Sequence, residues 1–412
     1  MNGKEVASMQ KTQNEIMAMA HLCKCGNPHY EVQIDPIVID YGAIQQAANF
    51  VASNYSKAVL IADEHTFQAA GKQLVEALMQ HDVQYTVCMI KPNAIGDVIA
   101  DEASLIQAML ETPNDTDVLL AVGSGTIHDI TRFVGYKMAK PFISIPTAPS
   151  VDGFTSMGAP LIVRGFKQTF QTQSPIALFA DVDVLTRAPQ LMIAAGVGDM
   201  FAKFTSLADW RFSHLMAGEP YCPVVAKVTA QALGDCVQHI DEIAQKDETG
   251  IRILIKSLID SGLAMLLFGA SHPASGGEHH VSHYWEMEFL KLGKNQVLHG
   301  AKVGVSVQLL ADKYRSFLTE TVPALTLTQA ENIRLNANEM IEKLIAHRSE
   351  IEGLANDIPK AQSIKEMLRK VDGPLEPEDL GVDQHLIQHS MKEAHHIRNR
   401  YTMLKFMNEV QN

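Results

Sequence analysis

Asp117-Val118-Leu119-Leu120-Ala121-Val122-Gly123-Ser124-Gly125-Thr126 is the stretch that decides the fold. After its first residue it is a short, continuous apolar run, the pattern of a strand buried on both faces in a parallel sheet. It passes straight into a glycine turn, and helical spacing follows to about Met138. The same alternation extends outward. Upstream, Ala58-Val59-Leu60-Ile61-Ala62 reads as a buried strand, and 66–80 carries helical spacing through Phe67, Leu74 and Leu78. A second strand covers 85–90, and a helix covers 101–110, with an acidic first turn and a stop before Pro113. Downstream, 142–145 reads as a fourth strand, closed by Pro146-Thr147-Ala148-Pro149-Ser150. Such alternation predicts a parallel sheet covered by helices, with a ligand crevice at the carboxyl ends of its strands.

Beyond about Pro189 the character changes. Helical patterns dominate over 193–216, 223–245 and 251–268, and strand signals nearly vanish. The boundary is placed near 187, between an α/β dinucleotide-binding domain over 1–186 and an all-helical, metal-binding and catalytic domain over 187–412. Residues 1–30 are polar and irregular, with an amphipathic turn over 15–21. The charged 350–380 region, with Pro359, Pro374 and Pro377, reads as a surface connection.

The chain has 412 residues, 46% apolar and 20% charged, the composition of an ordinary globular protein. Its 34 basic and 47 acidic residues give a net charge of −13, which argues against a general nucleic-acid partner. A local basic pocket for one small anion is still compatible with it. No apolar run reaches the roughly 18 residues of a membrane span, and the segment through Met19 lacks a signal-peptide pattern. The expectation is a cytoplasmic protein with no membrane association. The five cysteines, at 23, 25, 88, 222 and 236, do not suggest a disulfide framework. Cys23 and Cys25, with His21 and His29 nearby, could form half of a zinc site. No second matching cysteine pair is present, and the plainer reading is a reduced surface segment.

At 123–126 a helix start presents unpaired N–H groups to an anion such as a pyrophosphate. Taken alone, a plain strand-to-helix turn explains the motif, because the three-glycine fingerprint is incomplete. Asp63, closing the 58–62 strand, is placed either to accept from an adenosine ribose or to cap the next helix. Metal-ligand chemistry lies in three segments: Ala195-Gly196-Val197-Gly198-Asp199, Ser275 to His283, and Leu298-His299-Gly300. One carboxylate and two imidazoles bind a divalent ion and leave positions open for substrate. His279 and His283, four apart, share a helix face, and His280 points about 100° away as a structural residue. His395 and His396 read as a plain polar surface or packing pair.

Together these residues resemble the glycerol-1-phosphate dehydrogenases, bacterial branch, of the iron-containing alcohol dehydrogenase and dehydroquinate synthase-like superfamily. The resemblance spans roughly 57 to 310. It rests on Gly-Ser-Gly-Thr-Ile-His-Asp (123–129), Pro-Thr-Ala-Pro-Ser-Val-Asp-Gly-Phe-Thr-Ser (146–156), Ala-Gly-Val-Gly-Asp (195–199), Pro-Ala-Ser-Gly-Gly-Glu-His (273–279) and Leu-His-Gly-Ala-Lys-Val-Gly (298–304). It implies Asp199, His279 and His299 as ligands of one divalent metal, zinc or nickel. It implies substrate contacts from Asp152 and His283, with His283 in a proton relay. It implies contacts to NAD or NADP from Asp63, Gly123, Ser124, Gly125, Thr126, Ile127, Thr147, Ala148, Pro149, Ser150 and Ser156. Asp63 would repel a 2′-phosphate and leans towards NAD. The implied reaction is reversible reduction of dihydroxyacetone phosphate to sn-glycerol 1-phosphate, in a homodimer.

For the substrate phosphate the sequence offers Lys203, Arg164, Lys167 and Lys302, each with a surface-charge alternative. His272 departs from the family, where arginine often precedes Pro-Ala-Ser-Gly. The alternatives are a polyol dehydrogenase without a phosphate pocket, a dehydroquinate-synthase-like lyase, and a non-catalytic metal or nucleotide sensor. The lyase calls for further Lys and Arg around the metal, and 270–283 has none.

Overall fold

The computed structural model describes residues 13–325 and 335–411. Six strands form one parallel sheet: β1 (Ile37–Asp40), β2 (Lys57–Ala62), β3 (Gln84–Met89), β4 (Val118–Gly123), β5 (Phe142–Pro146) and β8 (Ala177–Asp181), in the order β1-β8-β5-β4-β2-β3. All of β4, β5 and β8 is buried, as expected of central strands covered on both sides. The four strands read from the sequence are β2 to β5. The structure adds β1 and β8, and an antiparallel hairpin of β6 (Gly158–Val163) and β7 (Phe166–Gln171). The hairpin turns through Arg164 (φ 53) and Gly165 (φ 76), left-handed residues whose twist suits a two-residue loop. Arg164 is spent on that turn.

After β8 the described residues are helical. The helices Gln190–Phe201 and His299–Ser316 approach closely because glycines meet backbone at their crossing. A Cβ on Gly300 would lie 1.8 Å from the Ala195 carbonyl oxygen, and one on Gly198 would lie 2.2 Å from that of Gly300. One apolar core runs from Ile37 and Leu178 of the sheet through Val197 and Phe201 to Leu258, Trp285 and Leu310. The two regions separated at 187 therefore share a core.

Two expectations need correction, and the amphipathic turn expected over 15–21 is borne out and extended. The helical stretch Gln190–Ala217 is apolar and long enough to cross a membrane (mean hydropathy 1.3), but 78% of that window is buried inside the molecule. The 350–380 region carries the helix Ala361–Lys370, whose Ile364 and Leu368 are buried. The polar N-terminal segment forms a helix over 13–21, with Ile16 and Ala20 packed in a cluster with Trp210 and Val225. Residues 1–12 lie outside the described ones.

Candidate active site

A cavity of about 430 Å³ opens where the carboxyl ends of β4 and β5 meet the helices. The turn after β4 brings Ser124, Gly125 and Thr126 to its wall, at the start of the helix Gly125–Met138. Ser124 and Ser150 join the two strand ends through their hydroxyls at 2.7 Å, and Ser150 and Ser156 also line the cavity. A glycine at 125 lets the helix start lie against Val151, 3.2 Å from where a Cβ would stand. Asp63, Gly123, Ile127, Thr147, Ala148 and Pro149 do not line the cavity. Gly123 accepts the Thr147 N–H at 3.0 Å, tying the ends of β4 and β5 together. Asp63 caps the next helix, its Oδ1 accepting the Thr66 N–H at 2.9 Å in a capping box.

Across the cavity the structure gathers Asp199, His279 and His299, whose ligand atoms lie within 4.8 Å of one another. Asp199 Oδ1 stands 3.6 Å from His279 Nε2 and 3.8 Å from His299 Nε2. That oxygen is buried without a hydrogen-bond donor, a costly position for a carboxylate unless a cation completes it. Burial alone would raise the Asp199 carboxyl, but Lys203 and the two imidazoles hold it well below the usual carboxylate range. Burial pulls His299 down to about 3, leaving the neutral imidazole that a metal needs. His279 Nδ1 faces Glu278 Oε1 at 2.8 Å, which orients its Nε2 towards Asp199. Glu278 is itself fixed by the Thr205 hydroxyl at 2.7 Å and the Gly276 N–H at 2.6 Å. These residues fit a divalent metal in donor type, burial and outer partners.

Asp152 lines the same cavity. Its backbone N–H donates to Asp199 Oδ2 at 2.9 Å, and its Oδ2 accepts from Lys203 at 2.6 Å and Ser261 at 2.8 Å. Lys203 is thus a fully buried tie between the two aspartates and does not line the cavity. His283 lies beside His299, with ring centroids 5.4 Å apart. Burial, with Lys167 nearby, lowers its pKa well below the usual value. His280 is buried with neither ring nitrogen hydrogen-bonded.

A second group occupies the wall next to His283. Lys167 donates to Glu286 at 2.8 Å, Lys302 lies 3.3 Å from the same carboxylate, and Arg398 reaches His283 Nε2 at 3.1 Å and the Ser275 hydroxyl at 3.2 Å. Sequence reasoning missed Arg398, two residues before Arg400 in a region without a matched motif. His272 is turned away, 3.3 Å from Glu219 among Trp210 and Phe268. Cys23, Cys25 and His29 do have a fourth partner, Cys222, while His21 is not part of the group.

A six-stranded parallel sheet, a helix-start loop at its carboxyl edge and a carboxylate–imidazole cluster facing it are the frame of a dehydrogenase. Residues 38–189 match the family described as iron-containing alcohol dehydrogenase. An alcohol dehydrogenase from Oenococcus oeni superposes with a TM-score of 0.66 at 13% identity, covering 94% of this chain and 98% of that one. Within the class the chain belongs to the glycerol-1-phosphate dehydrogenase family. It is 51% identical over 405 residues to the NAD(P)+ glycerol-1-phosphate dehydrogenase of Geobacillus stearothermophilus, covering 98% of this chain and 99% of that protein. It is 44% identical over 385 residues to that of Bacillus subtilis strain 168, covering 93% of each.

Proposed function

We propose that the cavity reduces dihydroxyacetone phosphate to sn-glycerol 1-phosphate, reversibly, with NADH or NADPH, and that Asp199, His279 and His299 hold its metal. When bound, the ion supplies Lewis acidity at the C2 oxygen and the nicotinamide supplies the hydride. The observation that carries the substrate assignment is the charge on the wall beside His283. Lys167 and Lys302 share one carboxylate, Glu286, Arg398 reaches His283 beside them, and the nearby Asp129 is matched by Arg132, so this wall carries more cations than carboxylates. That surplus matches a phosphomonoester dianion and has no use for an uncharged polyol.

Each residue then has a task. Arg398, oriented by Ser275 and His283, takes two phosphate oxygens with its planar fork. Glu286 sets the positions of Lys167 and Lys302 until the phosphate arrives. Asp152, fixed by Lys203 and Ser261, accepts a substrate hydroxyl. His283 lies between the phosphate wall and His299, and its Nε2 accepts from Arg398, so in this arrangement it orients and accepts. Ser124, Gly125, Thr126, Ser150 and Ser156 receive the pyrophosphate and nicotinamide end of the cofactor. Gly123, Ile127, Thr147, Ala148 and Pro149, next to them in the chain, support that wall, and Asp63 meets the adenosine ribose, favouring NAD.

Zinc or nickel suits two imidazoles and a carboxylate. We also propose a cytoplasmic homodimer, paired along the exposed β3 edge, which light scattering would check. The test of the substrate assignment is kcat/KM for dihydroxyacetone phosphate against dihydroxyacetone. A preference of several hundredfold is expected, and equal efficiency would favour the polyol reading.

A further inference from the structure

Outside the catalytic cavity, four soft ligands converge where the N-terminal segment meets the start of the helix Pro223–Gln238. Cys23 Sγ lies 3.7 Å from Cys222 Sγ, Cys25 Sγ lies 3.7 Å from His29 Nε2, and His29 Nε2 lies 3.1 Å from Cys222 Sγ. All four ligand atoms fall within 4.8 Å of one another. Zinc in a tetrahedron, with bonds of about 2.3 Å to sulfur and about 2.0 Å to nitrogen, places sulfurs about 3.8 Å apart and sulfur about 3.5 Å from nitrogen. The Cys23–Cys222 and Cys25–His29 separations are close to those edges, and the His29–Cys222 separation is shorter, so the four atoms lie near a tetrahedron that a small adjustment of the His29 ring completes. The sulfur–sulfur separation is too long for a disulfide, whose sulfurs stand about 2.05 Å apart, and all these cysteines are free.

Against the effect of burial, hydrogen bonding draws the Cys25 thiol below its usual pKa. Gly26 adopts a positive φ of 79°, the turn that lets the Asn27 backbone N–H fold back onto the Cys25 sulfur. Cys222 stands at the start of a sixteen-residue helix, where the helix dipole favours negative charge, while burial pushes its thiol up to about 12, so its proton leaves only as a cation takes its place. Asn27 ties the loop to the Tyr221 carbonyl at 2.8 Å.

We infer that Cys23, Cys25, His29 and Cys222 form a second, structural metal site that takes zinc. Three thiolates and one imidazole close the tetrahedron and leave no position for substrate. Binding displaces the thiol protons to solvent. The ion fastens the segment before Tyr30 to the helical region. Tyr30 donates its N–H to the Leu267 carbonyl at 2.9 Å, and its ring covers Gly269, where a Cβ would come within 2.2 Å of it. Gly269, Ala270 and Ser271 are part of the active-site wall, so the metal braces that wall from behind.

The test uses full-length protein, purified under reducing conditions, with metal content and the spectrum of the cobalt(II)-substituted form. Thiolate-to-cobalt charge transfer reports this cluster alone, because Asp199, His279 and His299 include no sulfur. The His279→Ala chain should retain one zinc and, loaded with cobalt, the near-ultraviolet charge-transfer band. Adding Cys222→Ser or Cys25→Ser to the His279→Ala chain should abolish both. Should the cysteine variants fail to fold, the His279→Ala spectrum still decides. No zinc and no sulfur-to-cobalt band in His279→Ala, or a Cys23–Cys222 disulfide in the reduced preparation, would overturn the site.

Discussion

Gly300→Ala should disable metal binding without touching a ligand. The carbonyl of Ala195 would stand 1.8 Å from the new Cβ, and real Cβ contacts essentially never fall below 3.0 Å, so the two helices must part by at least about 1.2 Å. Asp199 and His299 sit on opposite sides of that crossing, one residue or a few from the contact. Metal–ligand distances tolerate only about 0.2 Å of error, so His299 leaves the ion. The expected loss of affinity exceeds the roughly 10–100-fold that follows removal of an outer partner. Overpacking should also cost about 1–3 kcal/mol of stability. The assay is metal titration of the stripped protein by calorimetry, alongside Tm. Gly353→Ala is the control, since a Cβ there meets nothing within 4 Å. Metal affinity in Gly300→Ala within a few-fold of wild type would refute the reasoning.

Arg398→Ala should reduce kcat/KM for dihydroxyacetone phosphate by about 2–3 kcal/mol, roughly 30- to 150-fold, the loss typical of a buried charge contact. Turnover of dihydroxyacetone should barely change, as steady-state assays of both substrates would show. Glu278→Gln, which weakens the acceptor behind His279, should lower metal affinity roughly 10–100-fold in competition with a chelator. Burial holds His128 down to about 3, with Nδ1 bonded to the Ser124 carbonyl and Nε2 to the Ser144 hydroxyl. Its folded pKa lies below the unfolded value, so its contribution is full above about pH 6.5 and falls as pH drops towards 3, by up to about 1.4 kcal/mol per pH unit. Stability measured by denaturant titration between those limits should be less pH-dependent in His128→Gln.

The sequence reveals the parts of this molecule whose physics is local. A strand buried on both faces must be apolar throughout, so β4 and its neighbours stand out, and the glycine turn after β4 marks the crevice. β1 escapes because Ile37–Asp40 is only four residues long. The hairpin escapes because Phe166–Gln171 mixes exposed and half-buried residues without a clean alternation. The cluster of Asp199, His279 and His299 is legible because each residue sits in a glycine-rich motif that close packing of its helix demands. Arg398 has no such neighbourhood, and only the tertiary fold carries it beside His283. Cys222 is likewise 199 residues from Cys23, and nothing near it announces a ligand. Lys203, offered for the phosphate, is instead held between two aspartates by burial.

The most direct test is to strip the metal, re-add zinc or nickel singly, and supply dihydroxyacetone phosphate with NADH to wild type and His279→Ala in parallel, resolving the product by enantiomer. The account predicts that wild type regains turnover only with metal and yields sn-glycerol 1-phosphate, while His279→Ala stays inactive. Full turnover by the stripped enzyme, or by His279→Ala, would contradict it.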